Sequence, residues 1–394
     1  MAAAFFPLDN ELQVPDGHLL PHAHETLVSL SSELPFGRVV KHLKRTLGVV
    51  VPVSTIRRQT LAVGQRMLEV QNDQAQPLAD CPQEPASERL AMSSDGSMVP
   101  LVGGVWAEVK VVAIGQVECR KRQEEEEIVT THLTYFARMA DAATFADQAS
   151  AEVRRRGIDR AKEVCAIQDG AEWIQGFVQG HRHDALRILD FAHAASYICE
   201  IAVKVREGGG HLPAKWEDGL LHRLKHEGPA RVLRHLSRLV SRYPQMQEQV
   251  NYLQKRKPLM DYPRYQREGW PIGSGSVESS HKFVVQARLK GSGMHWKPEH
   301  INPMLALRLA LLNDRWPEFW QQQERLRQLK RQARQQQRMR PQRSKGQQTP
   351  VPALPVVSTS KPTRPKTGRT EAQYRWGRHT FSPRMLKQAA GAKK

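Results

Sequence analysis

The stretch that most constrains the fold is residues 106–114, where Ala107, Val109 and Val111 alternate with Trp106, Glu108 and Lys110. A period of two sends alternate side chains to opposite faces of a strand. Residues 90–99 and 128–135 also have strand composition, so three strands follow one another as a meander. The period then changes. Residues 141–156 carry Ala142, Phe145, Ala149 and Val153 at helical spacing. Short apolar runs at 164–168 and 187–189 are each followed by helical stretches, 172–178 and 191–205. A meander leading into strand–helix–strand–helix predicts an α/β fold built on a mixed sheet.

The flanking regions read differently. Residues 25–33 suit a short helix. Residues 36–47 suit a second, with apolar residues at 36, 39, 40, 43 and 47 and Gly48 as its stop. Ser54 is an N-cap type for a helix over 54–68 with Ile56, Leu61 and Leu68 inward. Helix, short turn and helix suit a helix-turn-helix with Arg57 and Arg58 at the end that enters a DNA groove, though a plain helical hairpin accounts for the pattern as well. Residues 71–88 are polar and Pro-bearing, 206–262 lack any strand pattern, and 303–320 predict one long helix. These shifts divide the chain into an N-terminal arm (1–34), a helix-turn-helix region (35–70), a linker (71–88), an α/β core (89–205), an all-helical insertion (206–267), a return to the core (268–320) and a tail (321–394).

Charge is unevenly spread. Of 59 Lys and Arg, 19 fall in residues 321–394 against two acids, Glu324 and Glu371, while the preceding 320 residues carry 40 against 38. The basicity belongs to the tail, which is Gln/Arg-rich and then Pro-rich. It predicts disorder, with the preceding helix able to run on into the 330s, and a polyanionic partner. Cys81, Cys119, Cys165 and Cys199 form no CxxC pair, which fits a reducing compartment. No apolar run reaches about 18 residues, so no membrane span is expected.

The chemistry is carried by carboxylates. Asp95 and Asp169 each close a short apolar strand and each precede a glycine. Asp-Gly alone is a common turn signal. Two such residues at strand ends, with Glu278 downstream, fit a site for two Mg²⁺ or Mn²⁺ ions about 4 Å apart, because hard oxygen donors suit those ions. Glu278 lies in the first turn of a short helix between glycine-rich turns, behind the N-cap types Ser274 and Ser276. The bland alternative is a surface ion pair with Lys282, one turn on. Asp190 and His193 share a helical face at i and i+3, so the carboxylate can orient the imidazole; an N-cap with a partly buried histidine is the simpler alternative. A zinc cluster of His181, His183, Asp184 and His193 is disfavoured by its loose spacing and lack of thiols. Trp216, Trp270 and Trp296 could stack on a flipped base, but core or hinge packing is the simpler role.

Together, Asp95-Gly, Asp169-Gly, Asp190-x-x-His193 and the run WPIGSGSVESSHKFVVQARLKGSGMHW from Trp270 to Trp296 resemble bacterial insertion-sequence transposases of the Kra family, related to the mutator-like DDE group. The resemblance spans roughly residues 5–320, including Phe5 to Asp9 and Ser54 to Arg58, and the run at 273–296 is its most specific part. It implies an RNase H-like catalytic domain interrupted by the helical insertion. It implies a metal-binding triad of Asp95, Asp169 and Glu278, with Asp190 and His193 as accessory residues near the scissile strand. It further implies cleavage and joining of double-stranded DNA, at terminal inverted repeats and at a target, by a homo-oligomer in the cytoplasm at the nucleoid. Ser54, Thr55, Arg57, Arg58, Lys282, Arg288 and Lys290 are the expected DNA-contacting residues. Relatives carry more chain before the Phe5 stretch, which implies a shortened N-terminus. Many DDE enzymes have a basic residue seven positions after the glutamate; Val285 stands there, with Lys282 or Arg288 as substitutes. A catalytically inactive nucleic-acid-binding derivative, or another RNase H-like nuclease, would share most of these features.

Overall fold

The computed structural model describes residues 19–76, 83–85, 87–122 and 125–339. The Phe5–Asp9 stretch, Cys81 and the tail beyond 339 lie outside them. Three helices come first: α1 (Pro21–Glu33), α2 (Phe36–Leu47) and α3 (Val53–Ala75). Gly48 ends α2 in the left-handed region at φ 66°, as its position predicts. The next helix differs from expectation. It starts at Val53 behind Pro52, so Ser54 is inside it and caps nothing, and it runs into the expected linker as far as Ala75. Its buried face is Ile56, Thr60, Val63, Met67 and Gln71, a strict helical stripe, with Leu61 and Leu68 at the edge of that stripe.

The sheet has the order β3-β2-β1-β4-β5. β1 (Arg89–Pro100), β2 (Trp106–Arg122) and β3 (Glu125–Arg138) are antiparallel. The β2–β3 pairing runs well past the strand runs at 106–114 and 128–135, from Cys119↔Ile128 out to Arg122↔Glu125. After α4 (Ala142–Arg155), β4 (Glu163–Gln168) adds parallel to β1. α5 (Glu172–His181) then leads to β5 (Leu186–Leu189), which adds parallel to β4. Asp141 caps α4 by accepting from Thr144 N at 3.0 Å.

Alternation assigns the two faces. Leu90, Met92, Val164 and Ala166 join one core with α1–α4 and the C-terminal helices, while Ala91, Cys165, Ile167 and Ile188 join a second. That second core contains α6 (Phe191–Glu207), α7 (Trp216–Glu227), α8 (Pro229–Val240), α9 (Gln247–Lys255) and α10 (Tyr262–Arg267). The 206–267 region is therefore helical as expected, and it is packed on the sheet. The N-terminal helices are likewise no separate body: Leu27, Ile56 and Met67 share a core with sheet residues Val111 and Ile114.

The chain returns through α11 (Gly275–Ser280), one π-helical segment (His281–Gln286) and α12 (Ala287–Leu289). The helix expected over 303–320 is two helices, α13 (Pro298–Leu312) and α14 (Trp316–Met339), broken at Asp314 with φ 55°. α13 is buried from Met304 to Ala310. The side chains of Asn302 on α13 and of Asn313 at its C-cap bridge the Met139 and Tyr135 backbones at 2.8 to 3.1 Å, satisfying groups along the open edge of β3. Trp270 and Trp296 are buried, and Arg89 lies 4.0 Å over the Trp270 ring, so both tryptophans serve packing.

Candidate active site

Parallel pairing of β1 with β4 sets the site. The register runs Ser93↔Ile167, Ser94↔Gln168 and stops where β4 stops, which makes Asp95 and Asp169 neighbours. Asp95 has the parity of Ala91, and Asp169 that of Cys165, so both belong to the face of the second core. Asp169 follows the last residue of β4, as expected. Asp95 does not end its strand: β1 continues to Pro100 because β2 pairs with it throughout. Asp95 sits where β1 loses its parallel partner.

Each carboxylate is fixed locally. The Gly96 N–H donates to Asp95 Oδ1 at 2.6 Å, and the Ala171 N–H donates to Asp169 Oδ1 at 2.8 Å across a turn that places Gly170 at φ 86°. The Asp-Gly turn at 169 is thus real and serves the site as well. Burial pushes the Asp95 carboxyl up to about 6, with Asp169 and Asp190 adding to the rise and the Gly96 N–H and His193 opposing it.

Asp190 caps α6 by accepting from Ala192 N at 3.0 Å, and its other oxygen accepts from the Ser274 hydroxyl. Ser274 precedes α11 as the sequence predicts, but its hydroxyl serves Asp190 and makes no cap. The Phe191 N–H also donates to the Ile272 carbonyl at 2.9 Å. The glycine-rich run is thereby tied to the β5–α6 junction. His193, one turn into α6, lies against Tyr197 and Tyr252 with ring centroids 5.4 and 5.8 Å away.

α11 crosses β1. Ser276 Oγ is 3.2 Å from Ser93 Oγ, and His281 Nδ1 is 3.7 Å from Asp95 Oδ2. Burial and Lys290 hold the His281 imidazole below its ordinary range, with Glu278 opposing. The Glu278 carboxylate is exposed and makes no hydrogen bond or ion pair with a described residue; its electrostatic partner is His281. The alternative reading, a Glu278–Lys282 surface ion pair, is not what the structure shows. The π-helical segment starts at His281 and changes the winding of the turn that i,i+4 pairing requires.

The expected DNA-contacting residues divide. Ser54, Arg57, Arg58, Lys282 and Lys290 are exposed and Thr55 is half-buried. Arg288 is 1 % exposed: its guanidinium lies 4.7 Å from the Phe36 ring and 4.9 Å from the Trp296 ring, and Nε donates to the Ser31 carbonyl at 2.9 Å. It is an internal strut, and Val285 is core. The zinc alternative fails on placement: His181 is 3.1 Å from the Ala146 carbonyl and packs edge-on against Phe177, His193 packs against Tyr197 and Tyr252, and among the described residues these side chains form no metal-holding group.

Sequence reasoning missed His281, whose signal was its position three residues after Glu278 on one helical face. It also missed the insertion's hold on the site. The Tyr252 hydroxyl donates to the Asp169 carbonyl, and Arg256 Nη2 donates to the Gly170 carbonyl at 2.7 Å. Both bonds end on backbone, so no residue pattern encodes them.

Asp95 and Asp169 suit a hard divalent cation: two adjacent oxygen donors whose mutual repulsion a cation would relieve. Glu278 stands outside that pair, and among the described residues no three His, Cys, Asp or Glu side chains converge closely enough to hold an ion. The fold and site define an α/β protein with an acidic and imidazole cluster where β1 and β4 part. No protein-family model matches the chain, and no characterised protein is significantly similar to it.

Proposed function

We propose that the chain is a DDE-type DNA transposase that binds element ends, cuts strands hydrolytically and joins the freed 3′-hydroxyls to target DNA. The observation that carries this is the adjacency of Asp95 and Asp169 on parallel strands, with Asp190 and His193 beside them. The sheet, a meander followed by two strands added in parallel, supports an RNase H-like core. Asp95 and Asp169 would hold Mg²⁺ or Mn²⁺, two ions in all, with Glu278 on α11 as the third ligand once it turns toward them. Bound there, the ions activate water or a 3′-hydroxyl and stabilise the leaving oxygen. Asp190, anchored by Ser274, fixes the first turn of α6 and so the position of His193 near the scissile strand. Lys282 and Lys290 flank the strand with positive charge. Ser54, Thr55, Arg57 and Arg58 lie on an exposed start of α3 and contact terminal inverted repeats, as a helix-turn-helix would, in a homo-oligomer on DNA. The tail adds salt-sensitive, sequence-independent affinity.

The test is strand cleavage of a cognate end with Mg²⁺ or Mn²⁺. Asp95→Asn removes one ligand charge and abolishes cleavage while end binding stays within about twofold. Full cleavage by that variant rejects the assignment. A second reading, a catalytically inactive DNA-binding derivative, is favoured by one observation: among the described residues no third His, Cys, Asp or Glu side chain converges with Asp95 and Asp169. Tight end binding by wild type with no metal-dependent cleavage selects it.

A further inference from the structure

A groove of about 740 Å³ lies between the start of α3 and the segment 293–300, away from the carboxylate cluster. Its polar lining is cationic or imidazole: Arg57, Arg58, Arg288, His295, Lys297 and His300, with no carboxylate among the lining residues. Elsewhere the protein couples its arginines to acids, as in Arg155–Glu318 and Arg182–Asp184 at 2.8 and 2.7 Å. Arg57 and Arg58 are exposed and enter no ion pair with a described residue, while Lys297 lies 3.8 Å from the exposed Glu299, which is outside the lining. Arg57 is close enough to act electrostatically on His300 from across the groove. Behind them, the wall contains the buried Arg288, whose Nη2 has no hydrogen-bond partner among the described residues. An unpaired, desolvated cation backing a rim of exposed cations gives a concave positive surface that attracts phosphate.

The groove is stitched to the strand that carries Asp95. The Trp296 N–H donates to the Pro100 carbonyl at 3.1 Å, and the Val102 N–H donates to the Trp296 carbonyl at 2.9 Å. Val102 lines the groove. Seven residue steps separate it from Asp95, the first five along β1, a span on the order of 20 Å. That is about six base-pair steps of B-form DNA, at roughly 3.4 Å per step along each strand.

We propose that this groove, bounded by Arg57, Arg58, His295, Lys297 and His300, seats the sugar–phosphate backbone of double-stranded DNA about six base pairs from the strand position that Asp95 faces. The choice of DNA as the polyanion rests on the transposase reading; the groove and its charge do not.

The experiment uses the full chain, a 30-base-pair duplex and fluorescence anisotropy across a salt series. The double variant Arg57→Ala, Lys297→Ala binds at least about tenfold more weakly at 100 mM salt. The slope of log affinity against log salt falls by about 1.8, the value for two lost phosphate contacts, whatever the tail contributes. Charge-preserving Arg57→Lys, Lys297→Arg restores binding, which separates charge from folding. Unchanged affinity and slope in the alanine variant overturn the proposal. So does displacement of the duplex by a single-stranded RNA or a polyglutamate peptide at equal charge concentration. Because the readout is binding, wild type that binds in this way but never cleaves refutes the catalytic reading alone. Metal-dependent cleavage with groove variants that bind normally refutes the groove alone.

Discussion

The Tyr252 hydroxyl, in the helical insertion, donates a hydrogen bond to the backbone carbonyl of Asp169 at the end of β4. The same side chain stacks on Tyr197 with centroids 3.8 Å apart and planes 4° from parallel, and the Arg256 guanidinium covers its other face at 3.6 Å. Gly170 is the counterpart in the turn: it holds φ 86°, and a Cβ there would collide with the Arg256 side chain. The insertion thus clamps the turn that presents a site carboxylate. Tyr252→Phe keeps the stack and removes the hydrogen bond. The expected cost is about 1 kcal/mol in urea unfolding, with faster hydrogen exchange at the Ala171 amide. Wild-type values in both measurements would show that the clamp contributes nothing.

A second contact joins the N-terminal helices to the core. Gly64 on α3 faces Pro303 on α13, and a Cβ built at Gly64 falls 2.5 Å from the Pro303 carbonyl oxygen. Intrinsic propensity argues for alanine there, since glycine in a helix interior costs about 1 kcal/mol relative to it. Packing argues the other way, because the collision is with backbone that no rotamer change can move. Packing wins: Gly64→Ala destabilises by about 1–3 kcal/mol, while the exposed Ala62→Gly on the same helix costs about 1 kcal/mol by propensity alone. Thermal unfolding of the two variants checks this, and a stabilised Gly64→Ala would mean that the helices separate at little cost.

These two contacts mark what the residues could disclose. The strands at 106–114 and 164–168 were legible because a half-buried strand and a buried one each impose a local pattern. The adjacency of Asp95 and Asp169 followed only in part: the order of elements suggested neighbouring strands, but the register Ser94↔Gln168 that aligns the two aspartates is a tertiary fact. α3 was cut short because residues 71–75 are polar. They are helical because Gln71 reaches the buried Arg138 and the Ala306 carbonyl, at 2.6 and 3.1 Å. Arg288 read as a surface cation because arginine is rarely buried; two aromatic rings and a carbonyl from distant segments hold it inside. The π-helical segment after Ser280, which sets Lys282 out of step with Glu278, carries no residue pattern that announces it.

The last prediction concerns α1 and its hold on α14. His24 is 1 % exposed, its ring centroid lies 5.7 Å from that of Trp320, and its Nε2 has no hydrogen-bond partner. Burial lowers its proton affinity to about 4 from an ordinary value of 6.5, with Arg66 and Arg327 adding to the fall and Glu324 opposing it. The sign follows from linkage. A histidine that is harder to protonate when folded contributes full stability above the unfolded value, and that contribution is lost as pH falls from 6.5 through 4. The shift corresponds to at most about 3 kcal/mol. Carboxylates that form ion pairs in the native state also titrate in this window, so the readout is a difference. Urea unfolding at pH 7.5 and pH 4.5 is compared for wild type and His24→Leu. The loss between the two pH values is smaller in the variant by about 2 kcal/mol, because leucine takes up no proton. Equal losses in both proteins would mean that His24 is solvated, and that α1 does not pack on Trp320 as the structure has it.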